Sequence, residues 1–178
     1  DQAALTVHHQ GRANMQTVLD WAFEHVPEPE NVFVTGSSAG AIPSPFYASL
    51  IADHYTGATV TQLGDGAGGY RSMNNDSRPH ESWGTFNFIT DAAGFGTLDS
   101  DTMKYESLYI LAAQRHPNVQ FAEYDAAQDS VQKSFLALSG QRDVDLLEAL
   151  SANHADIRAE VSNYKSFITG GASHTVLA

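Results

Sequence analysis

The feature that most constrains this chain is the alternation of short β-branched runs with helical periodicity. Asn31-Val-Phe-Val-Thr35, Thr59-Val-Thr-Gln-Leu63, Val119 to Tyr124 and Ser166-Phe-Ile-Thr169 read as strands between turn residues. Met15, Val18, Leu19, Ala22, Phe23 and Val26 recur at helical spacing, and Pro27 and Pro29 end that helix. Further helices are expected over Ala41 to Tyr55, Asp101 to Arg115, Gln128 to Leu138 and, as one or two, Asp143 to Tyr164. This order predicts an α/β fold with a mostly parallel sheet and helices on both faces. A single domain over residues 1–178 suits the length. The stretch 64–100 has no sustained period and carries Trp83, Phe86 and Phe88, so it reads as a lid or binding loop.

Composition removes several function classes. Nine Lys and Arg against 21 Asp and Glu leave a net charge of −12, which repels a phosphate backbone, so no nucleic acid partner is expected. The acidic balance suits a secreted or periplasmic protein. No cysteine is present, which excludes disulfides, thiolate nucleophiles and cysteine-based metal sites. No apolar run reaches the roughly 20 residues of a membrane span. His8 and His9 point to opposite sides of an extended chain and make a poor metal pair. No metal and no cofactor are expected. The chain begins at Asp1 without Met and reads as a processed or truncated piece.

Gly36-Ser37-Ser38-Ala39-Gly40 matches G-x-S-x-G between a strand and a helix, the setting in which a strained turn exposes a nucleophilic serine. Ser38 is the nucleophile candidate. The backbone N–H of Ala39, aided by the positive end of the following helix, is the expected oxyanion donor. Small residues two positions either side of the serine are expected to let strand and helix pack closely. A serine nucleophile needs a histidine base and an orienting acid, in the chain order Ser, Asp or Glu, His. Of eight histidines, His8, His9 and His25 precede Ser38, and His54, His116 and His154 fall on expected helices as solvated or capping residues. His80 precedes any late acid. His174, beyond the last strand, is the base candidate. For the acid, both Asp125 and Asp129 follow the third strand; Asp125 is nearer its end, and Asp129 also reads as a helix N-cap.

Gly64-Asp-Gly-Ala-Gly-Gly69 spells G-x-G-x-x-G, but the sequence after it cannot open a helix, so a dinucleotide site is rejected. Asn75-Asp-Ser77 is a formal glycosylation sequon.

Taken together, Gly11-Arg-Ala-Asn14 leading to Leu19-Asp-Trp21, Val32 to Gly40, Asp65 with its glycines, Asp129-Ser-Val-Gln132, Asn163-Tyr-Lys-Ser166 and Gly171-Ala-Ser-His174 resemble the pectin acetylesterase family of serine carboxylesterases, which includes the Notum enzymes. The resemblance implies an α/β-hydrolase fold. It favours Asp129, within D-x-x-Q, as the acid, although Asp125-Ala-Ala-Gln128 spells the same pattern. It implies an O-acyl ester substrate, small-molecule or polysaccharide; Trp83, in the aromatic-rich loop, is the substrate-contact candidate. Thioester hydrolysis or acyl transfer on the same residues, and a catalytically dead carbohydrate-binding scaffold, are the rival expectations. The family's glycine-rich tryptophan segment and its cysteines are missing here. With only four expected strands against about eight in a hydrolase sheet, an N-terminal segment or second chain is expected to complete the sheet and the oxyanion hole.

Overall fold

The computed structural model describes residues 6–73 and 81–177. Helix α1 (Gly11–His25) precedes strand β1 (Asn31–Ser37); α2 (Ser44–His54) leads to β2 (Thr59–Asp65). A 3-10 turn (Gly68–Met73), a short helix α3 (Phe86–Ile89) and α4 (Tyr105–Arg115) connect β2 to β3 (Phe121–Ala126). Helices α5 (Ser130–Leu138) and α6 (Leu146–Glu160) then lead to β4 (Tyr164–Thr169). Each expected strand and long helix is present. Tyr164, expected to close a helix, instead pairs with Phe121 at the start of β4. Residues 75–77 and His80 lie outside the described residues.

The four strands are all parallel and lie in the order β1-β2-β3-β4, with Asn31 opposite Thr59 and Ser37 opposite Asp65. That order decides where the helices go. Right-handed crossovers that always step to the next strand in one direction place every connecting helix on the same face. Gln62 marks that face, donating to Ser44 of α2 and Tyr109 of α4. The core there includes Phe46, Tyr109, Phe121, Leu150 and Ile157. On the opposite face Phe33, Thr35, Lys165 and Phe167 are exposed, and Thr61, Leu63, Ala122 and Tyr124 are partly so. The α/β architecture is as expected. Helices on both faces are not: among the described residues the sheet is covered on one side. β1, which carries the serine turn, is also an edge strand rather than a central one.

The long connection after β2 contributes to the core. Phe88 and Phe95 meet Phe46 edge-on at 5.2 and 5.0 Å, and Ile89, Phe95 and Leu98 are buried. Trp83, by contrast, is 54% exposed and lies 6.1 Å from the ring of His9. Among the described residues no helix is long and apolar enough to cross a membrane.

Candidate active site

β1 delivers Ser38 at its carboxyl end with φ 55°, which makes it the sole non-glycine among the described residues in the left-handed region. An L-residue held there costs of order 1–3 kcal/mol and persists where its surroundings impose it. Gly36 is one cause: a Cβ at that position would stand 2.1 Å from the carbonyl oxygen of Gly40, so the turn cannot close over any larger residue. The second glycine differs from expectation, because nothing lies within 4 Å of a Cβ added at Gly40. Nor does a helix start directly after the serine. Ser38–Gly40 form a 3-10 turn, and α2 begins only at Ser44, with Pro43 at its N-cap and Pro45 tolerated in its first turn. Ala39, exposed in this turn, therefore offers its N–H without an adjoining α-helix terminus.

His174 and Asp129 are brought together across 45 residues. His174 Nδ1 lies 2.6 Å from Asp129 Oδ2. The other oxygen, Oδ1, accepts from the N–H groups of Val131 and Gln132, so the carboxylate also caps α5. Gln132 Nε2 donates to Asp129 at 3.0 Å and to Asp125 at 3.1 Å, tying the two acids together. Asp125 makes no hydrogen bond to His174. It accepts from the N–H of Gly68 and lies 3.3 Å from His154 Nε2. Geometry therefore joins His174 to Asp129 and not to Asp125.

The expected hydrogen bond from Ser38 to His174 is not made. His174 Nε2 is buried and has no hydrogen-bond partner. The phenol of Tyr70 is pushed up to about 12, by burial first and then by the charges of Asp129 and Asp125, while the Ser38 hydroxyl lowers it. The position of Tyr70 is imposed by the glycine-rich turn: Gly68 N–H donates to Asp125, Gly69 N–H to Gln132, and Arg71 bridges Glu106 and Asp156. These amides point at side chains of this chain, which accounts for the G-x-G-x-x-G pattern without a nucleotide. Sequence reasoning passed over Tyr70; its place directly after the glycines was the available signal.

His154 corrects another expectation. It is 2% exposed, not solvated, and lies in a buried group with Glu123 and Asp125 whose donor atoms fall within 4.8 Å of one another. Hydrogen bonds already engage the two carboxylates: Tyr105, Tyr164 and Asn153 donate to Glu123, and Gly68 and Gln132 to Asp125. Burial first, and then the charge of Asp125, pushes Glu123 up to about 7. The stability consequence has a definite sign. Between about pH 4.5 and 7 the unfolded chain loses this proton while the folded chain keeps it, so stability falls as pH rises through that window and levels off above it. Glu123→Gln, which cannot ionise, should gain on the wild type by on the order of 3 kcal/mol between pH 4 and pH 8. Denaturant melts of both proteins at the two pH values measure this; a relative loss for the variant at pH 8 would contradict it.

Among the described residues three further histidines have partners of their own. His54 stacks on Phe23, His116 meets Ser49 and Asp53, and His25 contacts its own helix at Trp21. An open hollow of about 400 Å³ lies beside Arg71, lined also by Asp143, Asp145 and Glu148, and includes none of Ser38, Asp129 and His174.

No protein-family model matches the chain, and no curated protein does. Among solved structures it is similar to the esterase Pf2001 of Pyrococcus furiosus, at 11% identity with a TM-score of 0.47 over 95% of this chain. The chain spans 55% of the length of that esterase. The pectin acetylesterase resemblance therefore rests on the residues that carry it in the sequence.

Proposed function

We propose that this chain carries the reacting residues of a serine carboxylesterase, with Ser38 as nucleophile, His174 as base and Asp129 as the acid that orients it. The observation that carries this reading is His174 itself. Its Nδ1 is held by a buried carboxylate and its Nε2 is buried without a partner, at the same carboxyl end of the parallel sheet as a serine in strained conformation. An imidazole so held is in the tautomer that accepts a proton through Nε2. In the reaction, rotation of the Ser38 side chain brings Oγ toward Nε2. Oγ attacks the ester carbonyl as its proton passes to His174, and the Ala39 N–H receives the developing oxyanion. His174 then protonates the departing alcohol, leaving an acyl-serine. Water, deprotonated by His174, attacks that acyl group, releases the carboxylic acid and restores Ser38.

The residues shared with pectin acetylesterases suggest O-acetyl groups on a polysaccharide as the substrate class, in an exported protein. Trp83, exposed near His9, is proposed as a substrate contact. The open β1 edge and the uncovered sheet face support a further part of the reading: an additional segment or second chain pairs with β1 and supplies a second oxyanion donor. Parallel sheets are ordinarily covered on both faces, and edge strands are ordinarily blunted.

The test is hydrolysis of p-nitrophenyl acetate against longer acyl chains, with a serine-reactive phosphonate as probe. Expected are turnover of the acetyl ester and phosphonate attached at Ser38. Preference for a thioester or an alcohol acceptor would move the reading to acyl transfer, and neither turnover nor labelling would leave a carbohydrate-binding scaffold. Ester turnover at ordinary enzyme rates by the 178-residue chain alone would remove the need for a completing partner.

A further inference from the structure

At the end of β2, Asp65 is fully buried, yet no lysine, arginine or histidine pairs with it among the described residues. Its Oδ2 accepts two backbone hydrogen bonds, from the N–H of Val176 at 2.9 Å and of Leu177 at 2.8 Å. The other oxygen, Oδ1, is buried without a hydrogen-bond partner. Those two amides lie just beyond His174. Next to Asp65, Gly66 adopts φ +82°, and a Cβ there would stand 2.3 Å from the carbonyl oxygen of His174. The tail therefore lies directly on the β2 turn, in a space that a side chain at 66 would fill. Asp65 also pairs in register with Ser37, the residue before the nucleophile candidate. One residue thus touches the strand that ends in Ser38 on one side and the segment that carries His174 on the other.

Among the described residues the chain after β4 has no strand or helix of its own to hold it. The side chain of His174 is held by Asp129 and the backbone before it by the Gln128 N–H on the Gly171 carbonyl, but neither contact fixes the backbone beyond it, which stays free to pivot. Two charge-assisted hydrogen bonds to a carboxylate on a rigid strand end remove that freedom. We propose that Asp65 is a positioning residue for the base, clamping the backbone beyond His174 so that Nε2 is presented to Ser38. This rests on the esterase reading above.

The orphaned Oδ1 makes the inference testable by a conservative change. Asparagine at 65 can keep its oxygen on the two tail amides and place its NH2 where no partner is lost, whereas alanine removes the acceptor. Asp65→Ala should lower kcat for p-nitrophenyl acetate on the order of 10²-fold, the usual cost of a displaced catalytic group, with KM within a few-fold. Asp65→Asn should stay within a few-fold of the wild type. Val176→Pro deletes one donor from the other side, at a residue that is 51% exposed, and should lower kcat in the same direction while leaving the buried aspartate intact. Combined with Asp65→Ala it should add no further loss.

A readout independent of turnover is the downfield proton resonance of the His174 Nδ1–H, identified by its disappearance in His174→Gln. It should broaden or vanish in Asp65→Ala and persist in Asp65→Asn. An Asp65→Ala protein with wild-type kcat and an unchanged resonance overturns the inference while leaving the esterase reading standing. Should Asp65→Ala fail to fold, full activity and an unchanged resonance in Val176→Pro overturn it. A wild type with no Ser38-dependent turnover ends both.

Discussion

Ser38→Ala should abolish ester hydrolysis, with turnover falling on the order of 10⁵-fold or more, as happens when the nucleophile of an interdependent set is removed. Ser38 sits at φ 55°, and alanine there keeps the same backbone strain, so the loss should fall on turnover and not on stability. The variant should be inactive but folded, whereas Ser37→Ala, one residue earlier, should keep most of its activity. Turnover and thermal melts of the two variants separate the outcomes. A Ser38→Ala protein with substantial remaining turnover would remove the serine from the chemistry.

Much of the fold was legible because local signals agree with one another. The β-branched runs and the helical spacing of residues such as Leu19 and Phe23 name their elements without help from tertiary contacts. The one-sided sheet was harder to see, though its trace is present. Thr59, Thr61 and Leu63 alternate with Val60 and Gln62, and the first set faces out while the second is buried. Such alternation belongs to a sheet with a single packed face, whereas doubly covered parallel strands read as continuous apolar runs. The alternation of helices with strands carries no information about face; strand order does, and it is set by long-range pairing.

Site residues divide in the same way. Ser38 was legible because its constraint is local: five residues contain the turn and the glycine that permits it. Asp129 was legible as a cap, since that role too is local, but its choice over Asp125 depends on a contact spanning 45 residues. Asp65 holds a segment 111 residues away and His154 pairs with an acid 29 residues earlier, so neither role has a signature in the neighbouring sequence. The histidine expected to be solvated is buried because the acids at 123 and 125 alternate onto the helix-covered face of β3, opposite α6. Strand periodicity places both carboxylates there, but only the strand order places α6 above them.

Asp129→Asn should lower turnover roughly 10⁴-fold, the size of effect seen when the acid behind a catalytic imidazole can no longer fix its tautomer. The surroundings make the outcome sharper here than an isoelectronic exchange suggests. The carboxylate accepts on both oxygens: Oδ1 from the N–H groups of Val131 and Gln132, and Oδ2 from His174 and Gln132 Nε2. An asparagine that keeps its oxygen on the helix cap must turn its NH2 toward His174. The imidazole then accepts at Nδ1 and carries its proton on Nε2, the atom that receives the Ser38 proton in the proposed reaction. An asparagine that turns its oxygen to His174 presents NH2 to two backbone N–H groups and forfeits the cap, worth about 1 kcal/mol. Either orientation leaves donors facing donors around a fully buried side chain. Asp125→Asn meets no such conflict at His174. It disturbs the N–H of Gly68 and the contact with His154, so its cost should fall mainly on stability, with turnover reduced far less. Steady-state kinetics of the two variants, with melts at the same pH, discriminate between the acids. Reversed magnitudes, a severe loss of turnover in Asp125→Asn and a mild one in Asp129→Asn, would transfer the orienting role to Asp125.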